Sequence, residues 1–379
     1  MSVGEKSVVF LLGAGCSYDA NIPISKNMID RLEKLLSDTY SDDLLPLYKY
    51  VKCTMEYGCN LVGQDQNFNI ESLLVTLHAL SENKKTHLYP FVYGYSNDLL
   101  DLAGTNFKNI NELIKIIEKE LPGWVTLTSY KAASYYKNFE RFQKELTFAL
   151  RIFSLNYDLC LENNVDCTIE TGFFEDRPWD GNRFIKSEDD EEAAIYLYKL
   201  HGSIDWERKD DQLRISQQHG IVPDLIFGTD LKMQAIDPYL FYLYEFRKYV
   251  LNAEVIITIG YSYNDNHIND LIRQAMEYNQ NKILITVSPT GNTNAEKARI
   301  AKKLRLPTTN DRIVIVLSQL YSGEKTQVPN LYPSRLYDNF EVSPESKKEL
   351  FASYDEFYGK ELSDLEIDEF VAKLEGEQP

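Results

Sequence analysis

The alternation of short apolar runs with amphipathic segments constrains the fold of this chain most strongly. The runs are rich in β-branched, leucine and aromatic residues, and they lie at residues 8–12, 151–155, 196–200, 225–227, 255–259, 283–287 and 313–317. Such runs are typical of strands buried on both faces of a parallel sheet. Apolar residues at helical spacing follow two of the runs. After the first run they are Met28, Ile29, Leu32, Leu35 and Leu36, and after the fifth run they are Ile268, Leu271, Ile272 and Met276. The alternation predicts an α/β fold with a doubly wound, mostly parallel Rossmann-like sheet.

Residues 40–150 interrupt this alternation with helical signals. Apolar residues recur at helical spacing in two segments, one with Ile70, Leu73, Leu74 and Leu77 and the other with Ile110, Leu113, Ile114 and Ile117. A long helical stretch is also predicted over residues 130–150. We therefore expect a helical insertion between the first two strands, placed where it can cover the crevice at the strand ends. The strand pattern stops after Leu317. We expect one domain over residues 1–320 and a helical C-terminal extension over residues 321–379.

Charge and cysteine content exclude several classes of protein. The chain has 40 basic and 58 acidic residues, and its net charge of −18 repels a phosphate backbone, so direct nucleic-acid binding is not expected. The apolar run near the first residue is too short for a signal peptide or a membrane span. The five cysteines have no CxxC spacing, which suits free thiols in a reducing compartment. We expect a cytoplasmic protein that does not contact a membrane.

The first motif with chemical meaning is the glycine-rich turn after the first strand. A strand that runs into Gly13, Ala14 and Gly15 and then into a helix is a geometry in which backbone amides approach a pyrophosphate. Ser17 adds a hydroxyl to that cradle. A tight turn with only a structural role explains the same residues, so the motif carries weight only together with the others.

Polar residues also follow the second strand. Asn156 and Asp158 lie just beyond it, at the edge of the sheet where open α/β folds bind ligands. In extended backbone, residues two apart point to the same side, so we expect both side chains to face one pocket. The alternative is that Asp158 only caps the next helix.

Two further strands end in candidate site residues. His201 and Gly202 follow the third run, and a histidine at such an edge can act as a general base near neutral pH. Gly260 and Ser262 follow the fifth run, where they offer a second close approach to phosphate or ribose. We interpret Asp265 as the N-cap of the next helix rather than as a catalytic residue.

In this order, the motifs resemble the sirtuin family over roughly residues 5–320. The resemblance rests on Gly13-Ala14-Gly15 with Ser17 and Ile22-Pro23, on Asn156 with Asp158, on Leu200-His201-Gly202, on Pro223-Asp224-Leu225-Ile226-Phe227-Gly228, and on Gly260 with Ser262. It implies an NAD-binding catalytic domain with the nicotinamide ribose beside Asn156 and His201. It also implies that the Gly13 loop and Ser262 hold the pyrophosphate and that Ser288 contacts the adenosine ribose.

Two departures from the sirtuin pattern modify that expectation. Protein deacylases of the family carry a four-cysteine zinc module between the Leu-His-Gly and Gly-x-Ser motifs, whereas residues 203–250 contain no cysteine, so no zinc is expected. Pro23 is followed by Ile24, Ser25 and Lys26 instead of Asp-Phe-Arg, which argues against deacylation. The remaining pattern resembles bacterial sirtuin-like effectors of antiphage defence, which destroy NAD. Some of these act beside a HerA-type ATPase, so a homo-oligomer or such a partner is expected.

The resulting hypothesis is hydrolysis of NAD to nicotinamide and ADP-ribose. Asn156 is expected to orient the ribose and the attacking water, His201 to take a proton, and Asp158 to shape the nicotinamide pocket. Two alternatives stay open at this point. One is an NAD-dependent deacylase without zinc, and the other is a non-catalytic nucleotide-binding scaffold for a partner ATPase.

Overall fold

A parallel β-sheet forms the centre of the computed structural model, which describes residues 8–62, 68–83, 97–146, 148–174, 176–184, 193–216, 223–225, 237–288, 292–308 and 310–317. Its strands within these ranges are β1 (Val8–Leu12), β2 (Leu150–Ser154), β3 (Ile169–Glu170), β4 (Ile195–Lys199), β7 (Val255–Ile259), β8 (Ile283–Ser288) and β9 (Ile313–Leu317). These seven strands of the described residues stand in the order β3-β4-β2-β1-β7-β8-β9, and all neighbours run parallel.

The sheet is doubly wound, as the alternation of runs predicts. From β1 the chain builds outward through β2 and β4, and it then crosses back to place β7 on the other side of β1. The crevice beside β1, where the strand order reverses, is the place at which open α/β sheets bind ligands. The carboxyl ends of three strands are level there, because Leu12 is in register with both Ser154 and Ile259.

Both faces of the sheet are covered, which explains why its strands are apolar without alternation. Val8, Phe10 and Leu12 of β1 pack into one hydrophobic cluster, whereas Val9 and Leu11 pack into the other. Helix α1 (Ser25–Thr39) packs on the first face. Helices α7 (Tyr239–Asn252), α8 (Asn266–Tyr278) and α9 (Thr293–Lys303) follow later in the chain, and each contributes buried side chains to the second cluster.

The segment between β1 and β2 is helical, as expected. It contains α2 (Leu44–Val62), α3 (Ile70–Asn83), α4 (Asn97–Ala103), α5 (Lys108–Val125), a 3₁₀-helix (Tyr130–Lys137) and α6 (Asn138–Leu146). Its buried side chains belong to the same cluster as one face of the sheet. The helix expected over residues 130–150 is wrong in detail, because the stretch begins as a 3₁₀-helix and its last residue, Leu150, already pairs in β2.

Other differences from the sequence expectation lie between β4 and β7. A two-stranded antiparallel hairpin, β5 (Trp206–Lys209) and β6 (Gln212–Ile215), was not expected. The strand predicted at residues 225–227 is wrong at Leu225, which forms only an isolated antiparallel bridge with Gly202. Residues 226 and 227 and the predicted extension at 321–379 lie outside the described residues. Of the helices in the described ranges, none combines the length and the apolar character that crossing a bilayer requires.

Candidate functional site

The loops after β1 and β7 interlock through three glycines at the crevice. A Cβ on Gly13 would stand 2.6 Å from the Gly260 carbonyl oxygen, and a Cβ on Gly15 would stand 2.9 Å from the Gly260 Cα. Gly260 has φ +64°, and its own Cβ would lie 2.1 Å from the Cys16 nitrogen. Side chains at these positions would push the two backbones apart, so the glycines are required by the contact between the loops.

The same contact engages the amides that were expected to cradle a phosphate. The Gly13 amide donates to the Ile259 carbonyl at 2.9 Å, and the Gly15 amide donates to the Gly260 carbonyl at 3.0 Å. Ala14 is exposed at the start of a 3₁₀-helix (Ala14–Ala20). The pyrophosphate role of Gly13, Ala14 and Gly15 stays a prediction, and the packing of the loops explains the two glycines without a ligand.

Ser17 connects three segments of the chain beneath this turn. Its hydroxyl donates to Asp158 Oδ2 at 2.7 Å, lies 2.8 Å from the Tyr136 hydroxyl, and accepts from Asn156 Nδ2 at 3.2 Å. A hydroxyl has one proton and two lone pairs. Because the proton goes to the Asp158 carboxylate, the Tyr136 hydroxyl is the donor to Ser17. Asn156 and Asp158 therefore face one pocket, as the alternation of side chains predicts.

The Asn156 amide is held at one end only. Its nitrogen is fixed by Ser17, while its Oδ1 is buried and has no hydrogen-bond partner among the described residues. Asn156 as a whole is only 7% exposed. A buried amide oxygen without a partner is costly and marks a place where a water or a ligand donates.

Asp158 binds Ser17 and also caps the turn that follows it, so the helix cap considered from the sequence is wrong. Its Oδ2 accepts from Ser17, and its Oδ1 accepts from the Cys160 amide at 2.9 Å, which caps a turn rather than a helix. Two cysteines surround this carboxylate. Burial raises the pKa of the Cys16 and Cys160 thiols far above the ordinary value, so neither thiol supplies a thiolate nucleophile.

His201 is buried beyond the end of β4 and faces an acid. Its Nε2 lies 3.4 Å from Asp265 Oδ2, and both side chains are less than 10% exposed. The residue after it, Gly202, has φ +89°, and a Cβ there would meet the Asp224 carbonyl oxygen at 2.3 Å. The His201 ring also lies 6.4 Å, between centroids, from the ring of Tyr157, the neighbour of Asn156. The structure thus brings His201 to the strand end that adjoins Asn156.

Asp265 has a role that sequence reasoning missed. It is the N-cap of α8, as expected, because its Oδ1 accepts from the His267 and Ile268 amides at 3.1 and 3.4 Å. Its other oxygen faces His201, which the sequence did not indicate. An N-cap signal gives only the local function of a residue, since the long-range partner depends on which strands become neighbours.

Tyr135 and Tyr136 were also missed, although they bind the glycine-rich turn. Tyr135 donates to the Cys16 carbonyl at 3.0 Å, and Tyr136 bonds Ser17. Both belong to the 3₁₀-helix of the insertion. The insertion therefore contacts the turn after β1 through these two tyrosines, and its cover of the crevice stays a prediction. The aromatic spacing in this stretch gave no signal that distinguished a site contact from a core contact.

Ser262 lies in the loop after β7, Ser288 ends β8, and the two are linked through an ion pair. Ser288 is buried and donates to Glu296 Oε1 at 3.0 Å, and Glu296 is bound in turn by Arg299. Arg299 also donates to the Ser262 carbonyl at 3.0 Å, while Ser262 itself is exposed. Each serine thus bonds one member of the Glu296–Arg299 pair, and their contacts with a dinucleotide stay a prediction.

The described part of the chain contains no group of three or more His, Cys, Asp or Glu side chains that is arranged to hold a metal ion. The expected absence of zinc stays a prediction, because residues 217–222 and 226–236, between the two motifs that frame the family's zinc module, lie outside the described ranges.

The fold and the site define a class of protein. A Rossmann-like sheet with buried polar groups gathered where the strand order reverses is the architecture of dinucleotide-binding α/β proteins. Residues 150–307 match the family model of the SIR2-like domain, which supports a Sir2-type family and NAD-related activity in general. The match begins with β2 and ends beyond α9, so it includes Asn156, His201 and Asp265. No curated protein matches the chain.

Proposed function

We propose that this chain hydrolyses NAD to nicotinamide and ADP-ribose in the crevice beside β1. The SIR2-like match supports a dinucleotide as the substrate. The observation that carries the proposal is the Asn156 amide, which is fixed through its nitrogen and has a buried oxygen without a partner in the described residues. Such an oxygen is suited to accept a hydrogen bond from the attacking water or from a ribose hydroxyl.

The chemistry requires little acid catalysis. The bond between the ribose carbon and the nicotinamide nitrogen breaks with its electron pair on nitrogen, and a neutral leaving group departs from a cationic ring. Water then adds to the oxocarbenium-like carbon and loses a proton. His201 takes that proton, and Asp265, whose Oδ2 lies 3.4 Å from Nε2, stabilises the imidazolium that forms. Asp158 and Ser17 hold Asn156 in place.

We extend the proposal to a biological role on the basis of the resemblance to sirtuin-like effectors. The chain acts as an effector of antiphage defence that depletes NAD, and activation comes from self-assembly or from a HerA-type ATPase supplied in trans. Because the net charge is −18, recognition of phage nucleic acid is assigned to a partner rather than to this chain.

The decisive experiment measures NAD loss and nicotinamide release by the purified chain, with and without a HerA-type ATPase. The wild-type chain is expected to release nicotinamide and ADP-ribose without any acylated peptide. His201→Ala is expected to lower the rate by at least about 100-fold while thermal unfolding stays cooperative.

Three outcomes would contradict the proposal. Turnover only with an acyl-lysine peptide, with an acyl group appearing on the ADP-ribose, indicates a deacylase. NAD that binds and persists in the presence of the ATPase indicates a scaffold. Wild-type turnover by His201→Ala removes that residue from the mechanism.

A further inference from the structure

Lys199 is a charged side chain at a position where the strand pattern calls for an apolar one. In β4, Ile195 and Leu197 face one hydrophobic cluster, and Lys199 is the next residue on that side. Its side chain is only 4% exposed. Burial of an ammonium group is unfavourable unless it is paired and hydrogen-bonded. The position therefore needs an explanation other than packing.

The Lys199 ammonium is bound by the loop that carries two of the site residues. Nζ lies 3.4 Å from the Tyr157 carbonyl oxygen, bonds the Asp158 carbonyl, and lies 3.0 Å from Glu162 Oε1. Three acceptors match the three N–H groups of an ammonium. Tyr157 lies between Asn156 and Asp158, so the contacts hold the backbone of the segment that presents both side chains.

The charge of Lys199 persists at neutral pH despite its burial. Burial acts to lower the pKa of Lys199, but the carboxylates of Glu162, Asp158 and Asp205 outweigh it and raise the pKa above the ordinary value. Lys199 also ends the strand that leads to His201, and it is in register with Ser154, which ends the strand that leads to Asn156. One side chain thus joins the two strand ends on which the proposed reaction depends.

We infer that Lys199 is a positioning residue for the proposed NAD hydrolysis: its buried ammonium holds the Tyr157 and Asp158 carbonyls and so fixes Asn156 relative to His201. This inference rests on the proposed function. Lys199 does not contact the reacting atoms, so its loss slows the chemical step and leaves NAD binding nearly unchanged.

The test compares Lys199→Met with a matched control. Lys282→Met removes another buried lysine, which lies just before β8, on the other side of β1 in the sheet order. Lys199→Met is expected to lower kcat by about 100-fold with the Kd for NAD within about threefold of wild type. Lys282→Met is expected to keep kcat within about threefold of wild type.

A second readout does not depend on activity. Hydrogen exchange of a peptide covering residues 155–162 is expected to be at least about tenfold faster in Lys199→Met than in wild type and unchanged in Lys282→Met. If wild type never consumes NAD, the proposed function fails, and exchange alone then decides the role of Lys199. If Lys199→Met does not fold, Lys199→Arg is used, because its planar fork cannot reproduce the three ammonium contacts, and faster exchange is again expected.

Two results overturn the inference. One is a kcat of Lys199→Met within about threefold of wild type, since a side chain that positions the reacting groups cannot be removed without slowing the reaction. The other is exchange at residues 155–162 that is as slow in the Lys199 variant as in wild type.

Discussion

At the scale of single residues, the site is built from buried polar groups that bind one another. Ser17 bonds Tyr136, Asn156 and Asp158, and His201 faces Asp265. The sequence predicted Ser17, Asn156, Asp158 and His201 because each follows an apolar run. It could not predict the bonds that these residues make, because those of Ser17 span more than a hundred residues of chain and all of them depend on which strands are neighbours.

Substitution of Asp265 tests whether its carboxylate supports His201 in the reaction. Asp265→Asn keeps an N-cap of similar strength, so the free energy of unfolding is expected to change by less than about 1 kcal/mol. The substitution removes the negative charge 3.4 Å from His201 Nε2 and is expected to lower kcat by about 10- to 100-fold. Initial rates of nicotinamide release and urea denaturation measure the two effects.

Asp265→Ala is the matched control, since it also removes the cap and is expected to cost about 1 kcal/mol more than Asp265→Asn. Equal kcat in wild type and Asp265→Asn would show that His201 acts without this carboxylate.

At the scale of elements, apolar runs located the central strands well. Strands β1, β7 and β9 begin and end as predicted, while the predictions for β2 and β4 are displaced by one residue. The displacement has a physical reason: Leu155 and Leu200 continue the apolar run and still donate to strand neighbours, but they lie past the last paired residue. The hairpin β5–β6 gave no signal because only two of its eight residues, Trp206 and Leu213, are buried.

Tyr136 tests whether the insertion supports the site. Tyr136→Phe removes the hydroxyl that donates to Ser17, and Tyr135→Phe removes the one that donates to the Cys16 carbonyl. Both are expected to cost about 1 kcal/mol in stability. Only Tyr136→Phe breaks a bond to the group that holds Asn156, so it alone is expected to lower kcat, by about tenfold. Equal kcat for the two variants would refute a special role for Tyr136.

Gly260 tests the contact between the β1 and β7 loops. Gly260→Ala places a Cβ 2.1 Å from the Cys16 nitrogen at a residue with φ +64°, and it is expected to cost about 3 to 5 kcal/mol. Gly58→Ala is the control, because Gly58 lies inside α2 with nothing within 4 Å of its Cβ position. That change is expected to stabilise the protein by about 0.5 to 1 kcal/mol. Chemical denaturation of both variants measures the difference.

At the scale of the whole molecule, the order of the strands decides where the site forms. The runs predict a doubly wound sheet, but a central strand looks alike in sequence wherever it stands in the sheet. The order was therefore not predictable, and neither was the edge strand β3, which has only two residues. Once β1 lies between β2 and β7, the motifs that are scattered in sequence meet at one edge.

The pH dependence of stability is expected to include a contribution from Lys282. Burial lowers the pKa of this fully buried side chain to about 8 from an ordinary value of 10.5. The unfolded chain therefore binds more protons than the folded chain between these values, and this contribution to stability rises with pH from about 8 to 10.5. Below about pH 8 the full cost of burying the charge is present.

Lys282→Met is expected to remove that cost and to stabilise the protein by about 2 to 3 kcal/mol at pH 7. The advantage of the variant should shrink as the pH approaches 10.5. Urea denaturation of both proteins at several pH values measures this difference, and a constant difference across the range would contradict the assignment to Lys282.

The central place of β1 has a consequence for synthesis of the chain. β1 is translated before the other described strands of the sheet, and its second neighbour, β7, begins only at Val255. At typical translation speeds, roughly 12 to 50 seconds separate the two. During that interval an apolar strand has an unsatisfied edge that invites wrong pairing, so a chaperone is expected to shield it. A ribosome-bound fragment that stops before residue 265 also lacks the acid facing His201. Under the proposed mechanism, NAD hydrolysis therefore begins only after translation has passed β7 and Asp265.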